Sequence, residues 1–198
     1  NRTALFDEHG EKSADFDAVL TVDGTYKAAD FINFCDAYDI PVLSITNVKG
    51  YAADVRSEKS IAKAVAKLTY AFANANVPKV NVITGEAYGS AYVTMNSKAL
   101  GADVTYAWPD ASIGMMDANE AAKIMYADDI AKSADVQSVI SEKAAEYAAL
   151  QSGVESAAAR GYVDTIINPE DTRKYVAAAF EMLYTKREDR PDKKHGTV

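Results

Sequence analysis

A single cysteine, Cys35, occurs in 198 residues, which excludes an intrachain disulfide framework and any CxxC metal knuckle. Long hydrophobic runs are missing too. The longest uncharged stretches, Leu68 to Pro78 and Ala87 to Ser97, have 11 residues each, against the roughly 20 apolar residues that a bilayer-spanning helix needs, so no membrane insertion is expected. Positive charge is in deficit: 21 Lys+Arg against 29 Asp+Glu leave a net charge of −8, the wrong sign for nucleic acid or an anionic membrane as main partner. The only histidines, His9 and His195, lie in polar terminal segments, so a Ser/His pair would need both ends folded inward. There is no G-x-G-x-x-G, no Walker loop and no His/Asp/Glu cluster with metal-ligand spacing, so no metal is expected. Asn1-Arg2-Thr3 shows no initiator Met, basic n-region or apolar h-region, which reads as a cytoplasmic piece of something longer.

The composition that remains, 48% hydrophobic and 25% charged, is that of a soluble globular protein. The length suits one domain, or one large half of a two-domain protein. Residues 1–17 are polar and read as an arm or linker, residues 18–186 as the domain, and residues 187–198 as a charged tail. Within the domain, AVLTV (18–22), IPVLSI (40–45), VNVIT (80–84), 102–108 and 112–116 read as strands, with one more at 162–167. Asp23-Gly24 closes the first, and Thr25 opens a helix whose Ala28, Phe31, Ile32, Cys35 and Tyr38 follow the i, i+3, i+4, i+7 spacing. Further helices are expected at 59–75, at 89–100, from an Asp117 cap with Glu120 three residues on to about Tyr126, at 137–160 and at 171–186. Strands alternating with helices imply an α/β class with a mostly parallel, buried sheet.

Two loops follow buried strands: Asn47-Val48-Lys49-Gly50-Tyr51, and a tight turn at Gly85-Glu86-Ala87-Tyr88 leading into Gly89-Ser90-Ala91. The second opens a helix, so its free N–H groups and the helix dipole face the mouth of the sheet. One N–H from each loop could converge on a single oxygen, an arrangement suited to an enolate or ureido oxygen; ordinary strand-to-helix turns would look the same on spacing alone. Ser90 lacks a GxSxG elbow. Cys35 reads as a small core residue, and the pairs Asp128-Asp129 and Glu170-Asp171 as solvated or capping groups. Side-chain chemistry is nearly absent, which leaves backbone chemistry.

Four ordered stretches carry a family resemblance: Phe34-Cys35-Asp36-Ala37-Tyr38-Asp39-Ile40-Pro41, Val77-Pro78-Lys79-Val80-Asn81-Val82-Ile83-Thr84, Ala87-Tyr88-Gly89-Ser90-Ala91-Tyr92 and Tyr106-Ala107-Trp108-Pro109. From about Asp23 onward the chain resembles the C-terminal domain of the carboxyltransferase component of biotin-dependent acyl-CoA carboxylases and decarboxylases, the propionyl-CoA and methylmalonyl-CoA enzymes above all. Lys194-His195-Gly196 is similar to that family's usual C-terminus. The resemblance implies a ClpP/crotonase-like fold of repeated β-β-α superhelical units. It further implies carboxyl transfer between carboxybiotin, carried on a biotin carboxyl carrier protein or domain, and the α-carbon of a short acyl-CoA. In the family an N-terminal carboxyltransferase half mainly binds acyl-CoA, a C-terminal half mainly binds biotin, and the enzyme self-associates as a homo-oligomer. By motif, the C-terminal oxyanion hole falls on Gly50-Tyr51 and Gly89-Ser90-Ala91, with Tyr92, Val93, Met116 and Asp117 on the substrate side. An isolated half is expected to be inactive, and an acidic surface agrees with binding a neutral biotin ring rather than phosphate-rich CoA.

The pattern is not complete. Lys49 stands where the family usually has Pro, Ser90 where it has the second Gly of a Gly-Gly-Ala turn, Val93 where Asp is frequent, and Asp117 where Gly is common. Residues 52–60 lack the family's glycines. These departures leave two other readings open: a non-catalytic assembly domain, or a crotonase-type hydratase or hydrolase using Glu86 or Asp117 as its acid/base.

Overall fold

Short β-branched runs and longer 3.6-period stretches alternate along the chain, and the backbone follows them. The computed structural model describes residues 4–133 and 135–188. A hairpin of β1 (Ala4–Phe6) and β2 (Lys12–Asp15) comes first, then β3 (Val19–Leu20), α1 (Val22–Ala37), β4 (Val42–Val48), β5 (Gly50–Tyr51), α2 (Val55–Asn74), β6 (Lys79–Tyr88) and α3 (Gly89–Thr94). After a 3₁₀ turn follow β7 (Val104–Ala107), β8 (Ser112–Gly114), α4 (Ala118–Met125), α5 (Ala127–Lys132) and α6 (Val136–Tyr147). A π-helical turn (Ala148–Ser152), α7 (Val154–Ala159), β9 (Thr165–Ile166) and α8 (Thr172–Met182) complete the order.

The main sheet is parallel, in the order β4-β6-β7-β9, with β8 paired to the far end of β6. Strand β6 changes partners along its length. Val80 to Ile83 lie between β4 and β7, whereas Glu86 to Tyr88 pair with β8. At the switch the β4–β6 register slips between Thr46 and Val48, and the Asn47 side chain accepts the Glu86 N–H at 3.1 Å. Residues 85–88, expected as a tight turn, are therefore strand. A second small sheet joins β3 and β5 in parallel, so Gly50 and Tyr51 are strand residues rather than part of a loop.

Caps set the other differences from expectation. Thr21 accepts the Gly24 N–H at 3.2 Å, starting α1 at Val22 and taking Asp23-Gly24 into its first turn. Asp54 accepts from the Ser57 N–H and Ser57 Oγ, both at 2.9 Å, starting α2 at Val55, so most of the 52–60 segment is helix. The helix expected at 89–100 stops after Thr94, where Asn96 turns to φ +56°. The 137–160 stretch divides at the π-helical turn, α5 has no counterpart in the sequence reading, and the last strand and helix are shorter than expected. The 1–17 arm contains the β1–β2 hairpin, and Lys194-His195-Gly196 lies outside the described residues.

One core packs α1 and α2 on the sheet through Ile32, Cys35, Val42, Leu68 and Phe72. A second gathers Val48, Ile83, Ala87, Ala91 and Ile113 at the strand ends, and a third places α8 over Val80, Val82 and Tyr106. The Ser57 hydrogen bonds also hold the Asp54 carboxyl below the usual carboxylate range. A carboxyl lowered by folding stabilises above its unfolded value, and that contribution disappears as pH falls through the lowered one. Asp54→Asn keeps the cap without titrating. Its melting temperature is therefore expected to fall less than the parent's as pH drops below about 4; parallel melting curves at every pH would show that the cap does not titrate.

Candidate functional site

The site forms where β6 ends. Tyr88, still extended, directs its hydroxyl to Ser112 Oγ at 2.9 Å and provides no side-chain cap to α3. Gly89 takes φ +59°, and a Cβ there would sit 3.0 Å from the Met115 carbonyl oxygen, so only glycine lets the chain pass β8 this closely. The first N–H groups of a helix have no intrahelical partner, and those of α3 fall at this corner. Strand β5 lies against α3, and Tyr51 packs on the cluster that holds Ala91 and Tyr92. The two segments singled out in the sequence, Gly50-Tyr51 and Gly89-Ser90-Ala91, are thus brought together.

Beside them opens a cavity of about 460 Å³, with Gly89, Ser90, Tyr92 and Val93 on one wall and Ile113 and Met115 on another. Met116 and Asp117 follow β8 but do not line it. Asp117 accepts the Asn119 N–H at 2.9 Å as the cap of α4, and Glu120 pairs with Lys123 at 2.7 Å. Glu86 faces Lys49 at 3.4 Å. Both carboxylates proposed for acid/base work are therefore engaged elsewhere. Burial pushes the Tyr92 phenol up to about 12, so it stays neutral at physiological pH, and its hydroxyl finds no hydrogen-bond partner among the described residues. Burial also raises the Tyr88 phenol and the Cys35 thiol, which is enclosed between α1 and α2. His9 sits exposed in the β1–β2 turn, and His195 lies outside the described residues. What this corner offers chemically is an apolar hollow at the start of α3.

The cavity's far wall was not legible in the sequence. It comes from the π-helical turn and the end of α7, through Gln151, Arg160 and Tyr162, with Arg160 Nη2 donating to Gln151 Oε1 at 2.6 Å. The only signal was Arg160-Gly161-Tyr162 interrupting an Ala-rich helical stretch. Among the described residues no group of three or more His, Cys, Asp or Glu side chains could hold a metal ion, and no helix is long and apolar enough to cross a membrane.

The carboxyl transferase domain family matches residues 12–198. A putative propionyl-CoA carboxylase beta chain of Bacillus subtilis is 49% identical over 180 residues, covering 90% of this chain and 36% of that protein. The methylmalonyl-CoA carboxyltransferase 12S subunit of Propionibacterium freudenreichii is 42% identical over 178 residues, covering 89% and 34%. A transcarboxylase 12S crystal structure, a hexamer with methylmalonyl-coenzyme A and methylmalonic acid bound, superposes with a TM-score of 0.85 at 41% identity, over 90% of this chain and 34% of that one. The beta subunit of Pseudomonas aeruginosa geranyl-CoA carboxylase gives 0.76 at 26% identity, over 91% and 35%. These neighbours share the crotonase-like α/β fold that the resemblance implied. The chain spans about a third of the length of its relatives, in their C-terminal part.

Proposed function

Because this chain belongs to the carboxyl transferase domain family, we propose that it is the biotin-facing half of an acyl-CoA carboxyltransferase, acting on a short acyl-CoA together with an N-terminal half. The observation that carries this reading is the corner at Gly89. A left-handed glycine under the Met115 carbonyl starts α3 against β5, beside an apolar hollow that no Asp, Glu or His lines among the described residues. Amide donors at a helix start stabilise an oxygen that gains charge during reaction, the ureido oxygen of biotin or the enolate oxygen of the acyl thioester. A cavity of about 460 Å³ is large enough for a neutral bicyclic ring, which Tyr92, Val93 and Ile113 would flank. Biotin, brought on a separate carrier, supplies the carboxyl group; this chain's part is to hold the ring, keep water from it and present amide donors.

Ser90 replaces a family glycine but keeps its amide, and its side chain is exposed, so the donor set survives. The 52–60 segment, wound into α2 from Val55, leaves only a short link near the site, which weakens any contact from that side. The hydratase reading loses support from the Lys49 and Asn119 contacts of Glu86 and Asp117. Self-association follows the hexamer of the 12S relative.

The test pairs two substitutions in enzyme reconstituted with the N-terminal half. Ser90→Ala retains the backbone donor and is expected to keep transfer within a few-fold. Ser90→Pro removes it and is expected to lower turnover by about 10²–10³, with circular dichroism confirming that the variant is folded. Equal turnover in a folded Ser90→Pro enzyme would place the hole elsewhere, and no transfer by the parent itself would favour a non-catalytic assembly domain.

A further inference from the structure

Helix α3 is six residues long, and helices under about 12 residues do not hold their own shape in water. Yet Gly89, Ser90, Tyr92 and Val93 on it form one wall of the hollow. The last carbonyls of a helix need partners from outside its own ladder, and here side-chain hydroxyls supply them. Thr94 Oγ1 donates to the Ser90 carbonyl and Ser97 Oγ to the Val93 carbonyl, both at 2.9 Å. Between them Asn96, in the left-handed region at φ +56°, donates from Nδ2 to the Val80 carbonyl of β6 at 3.4 Å. On the sheet beneath, Thr46 Oγ1 lies 2.8 Å from Asn81 Oδ1 and 3.4 Å from the Met95 carbonyl oxygen, with either as its acceptor. Met95 itself packs against both the α1–α2 core and the core at the strand ends. The exit of α3 is thus tied to β4 and β6 by polar side chains where the two cores meet.

Stability alone would place apolar groups here. Thr46, Asn81 and Asn96 are fully buried, and Asn81 Nδ2 and Asn96 Oδ1 have no hydrogen-bond partner among the described residues. A buried polar atom without a partner costs more than an apolar group of the same shape, and such departures from good packing gather at functional sites. Resting on the function proposed above, we infer that Thr46, with Asn81 behind it, is a positioning residue for carboxyl transfer. Neither lines the hollow. Their clamp on the Met95 carbonyl fixes the end of α3, and through α3 it sets the wall against which the ligand lies.

The test uses the full chain, alone and in enzyme reconstituted with the N-terminal half. Thr46→Val keeps the β-branched shape that suits a strand and removes the hydroxyl. Its kcat is expected to fall about ten- to a hundredfold, the loss caused by a small displacement of groups around a reacting centre, while the acyl-CoA KM stays within a few-fold. In NMR spectra of the chain alone, the amides of Ser90 to Thr94 should shift and those of α8 should not. Thr46→Ser restores the hydroxyl and should recover turnover to within a few-fold of the parent. Asn81→Leu should repeat the loss, and the double variant Thr46→Val with Asn81→Leu should lose no more than the worse single, since both act through one contact. Thr105→Val is the control. Thr105 sits beside Asn81 on the same sheet face, and its buried hydroxyl has no partner among the described residues, so turnover and the α3 amides should hold. Unchanged turnover and unshifted α3 amides in folded Thr46→Val overturn the inference, and the parent's own transfer then leaves the proposed function standing. An equal loss in Thr105→Val also overturns it, reducing the clamp to general core packing. Absence of transfer by the parent overturns both. If Thr46→Val does not fold, the same comparisons are read on Asn81→Leu.

Discussion

Gly89→Ala is expected to lower carboxyl transfer by the reconstituted enzyme by about two to three orders of magnitude, the loss typical of misplacing one oxyanion donor. Gly89 stands at φ +59° with the Met115 carbonyl oxygen 3.0 Å from where a Cβ would lie. An L side chain in the left-handed region costs about 1–2 kcal/mol, and the carbonyl contact forces the turn or β8 to move by several tenths of an ångström. The amides that follow would be re-aimed. Gly10→Ala, in the β1–β2 turn, is the control: it carries a similar dihedral cost at φ +81° but meets nothing within 4 Å, so it should reduce stability without the same loss of turnover. Turnover is followed as labelled carboxyl moved to acyl-CoA. Equal activity of the two variants would mean that the corner at Gly89 does not shape the site.

Asp103→Ala is expected to be the most destabilising single change away from the site, about 3–5 kcal/mol in urea unfolding. Asp103 and Lys186 are mostly buried, with side chains 18% and 13% exposed, and their ion pair spans 2.9 Å. The same carboxylate accepts the Lys79 N–H at 2.7 Å, and Lys186 also donates to the Val77 carbonyl at 3.3 Å. This knot fastens the exit of α8 to the foot of β6. Removing the carboxylate strands a backbone donor and leaves a largely buried ammonium with, among the described residues, the Glu188 carboxylate at 3.4 Å to balance it. Asp103→Asn retains an acceptor for the Lys79 amide and should cost less than the alanine. A cost under 1 kcal/mol for Asp103→Ala would show that α8 is held by its apolar contacts alone. Native domains have only about 5–15 kcal/mol to lose, so the full expected effect would consume much of that margin.

The α/β class and the order of the large elements were legible because IPVLSI and VNVIT are β-branched runs too short for helices, while the Ile32–Cys35 and Leu68–Phe72 spacings put apolar groups on one helix face. What stayed hidden depends on non-local pairing. Gly85-Glu86 reads as a turn locally, yet β6 runs straight through it because β8 offers new partners to Glu86, Ala87 and Tyr88. Gly50-Tyr51 reads as a loop because a two-residue strand exists only through its match with Val19-Leu20. At the site, the amide corner was visible as glycine placed before a helix. The hollow beside it was not, since its far wall at Gln151, Arg160 and Tyr162 is delivered by a separate stretch with no motif of its own. Asp117, read as a substrate-side residue, is drawn into capping α4, a role that its own Asp-x-x-Glu spacing also announced.

The central claim, that this chain presents its α3 amides to biotin, is tested most directly by an amide-resolved NMR titration with biocytin in the presence of the N-terminal half, beside one with propionyl-CoA. The account predicts biocytin-dependent shifts at Gly50, Tyr51, Gly89, Ser90 and Ala91, extending to Val93 and Tyr162 across the hollow. Shifts at these amides with propionyl-CoA alone, or silence there with both ligands in the assembled complex, would contradict it.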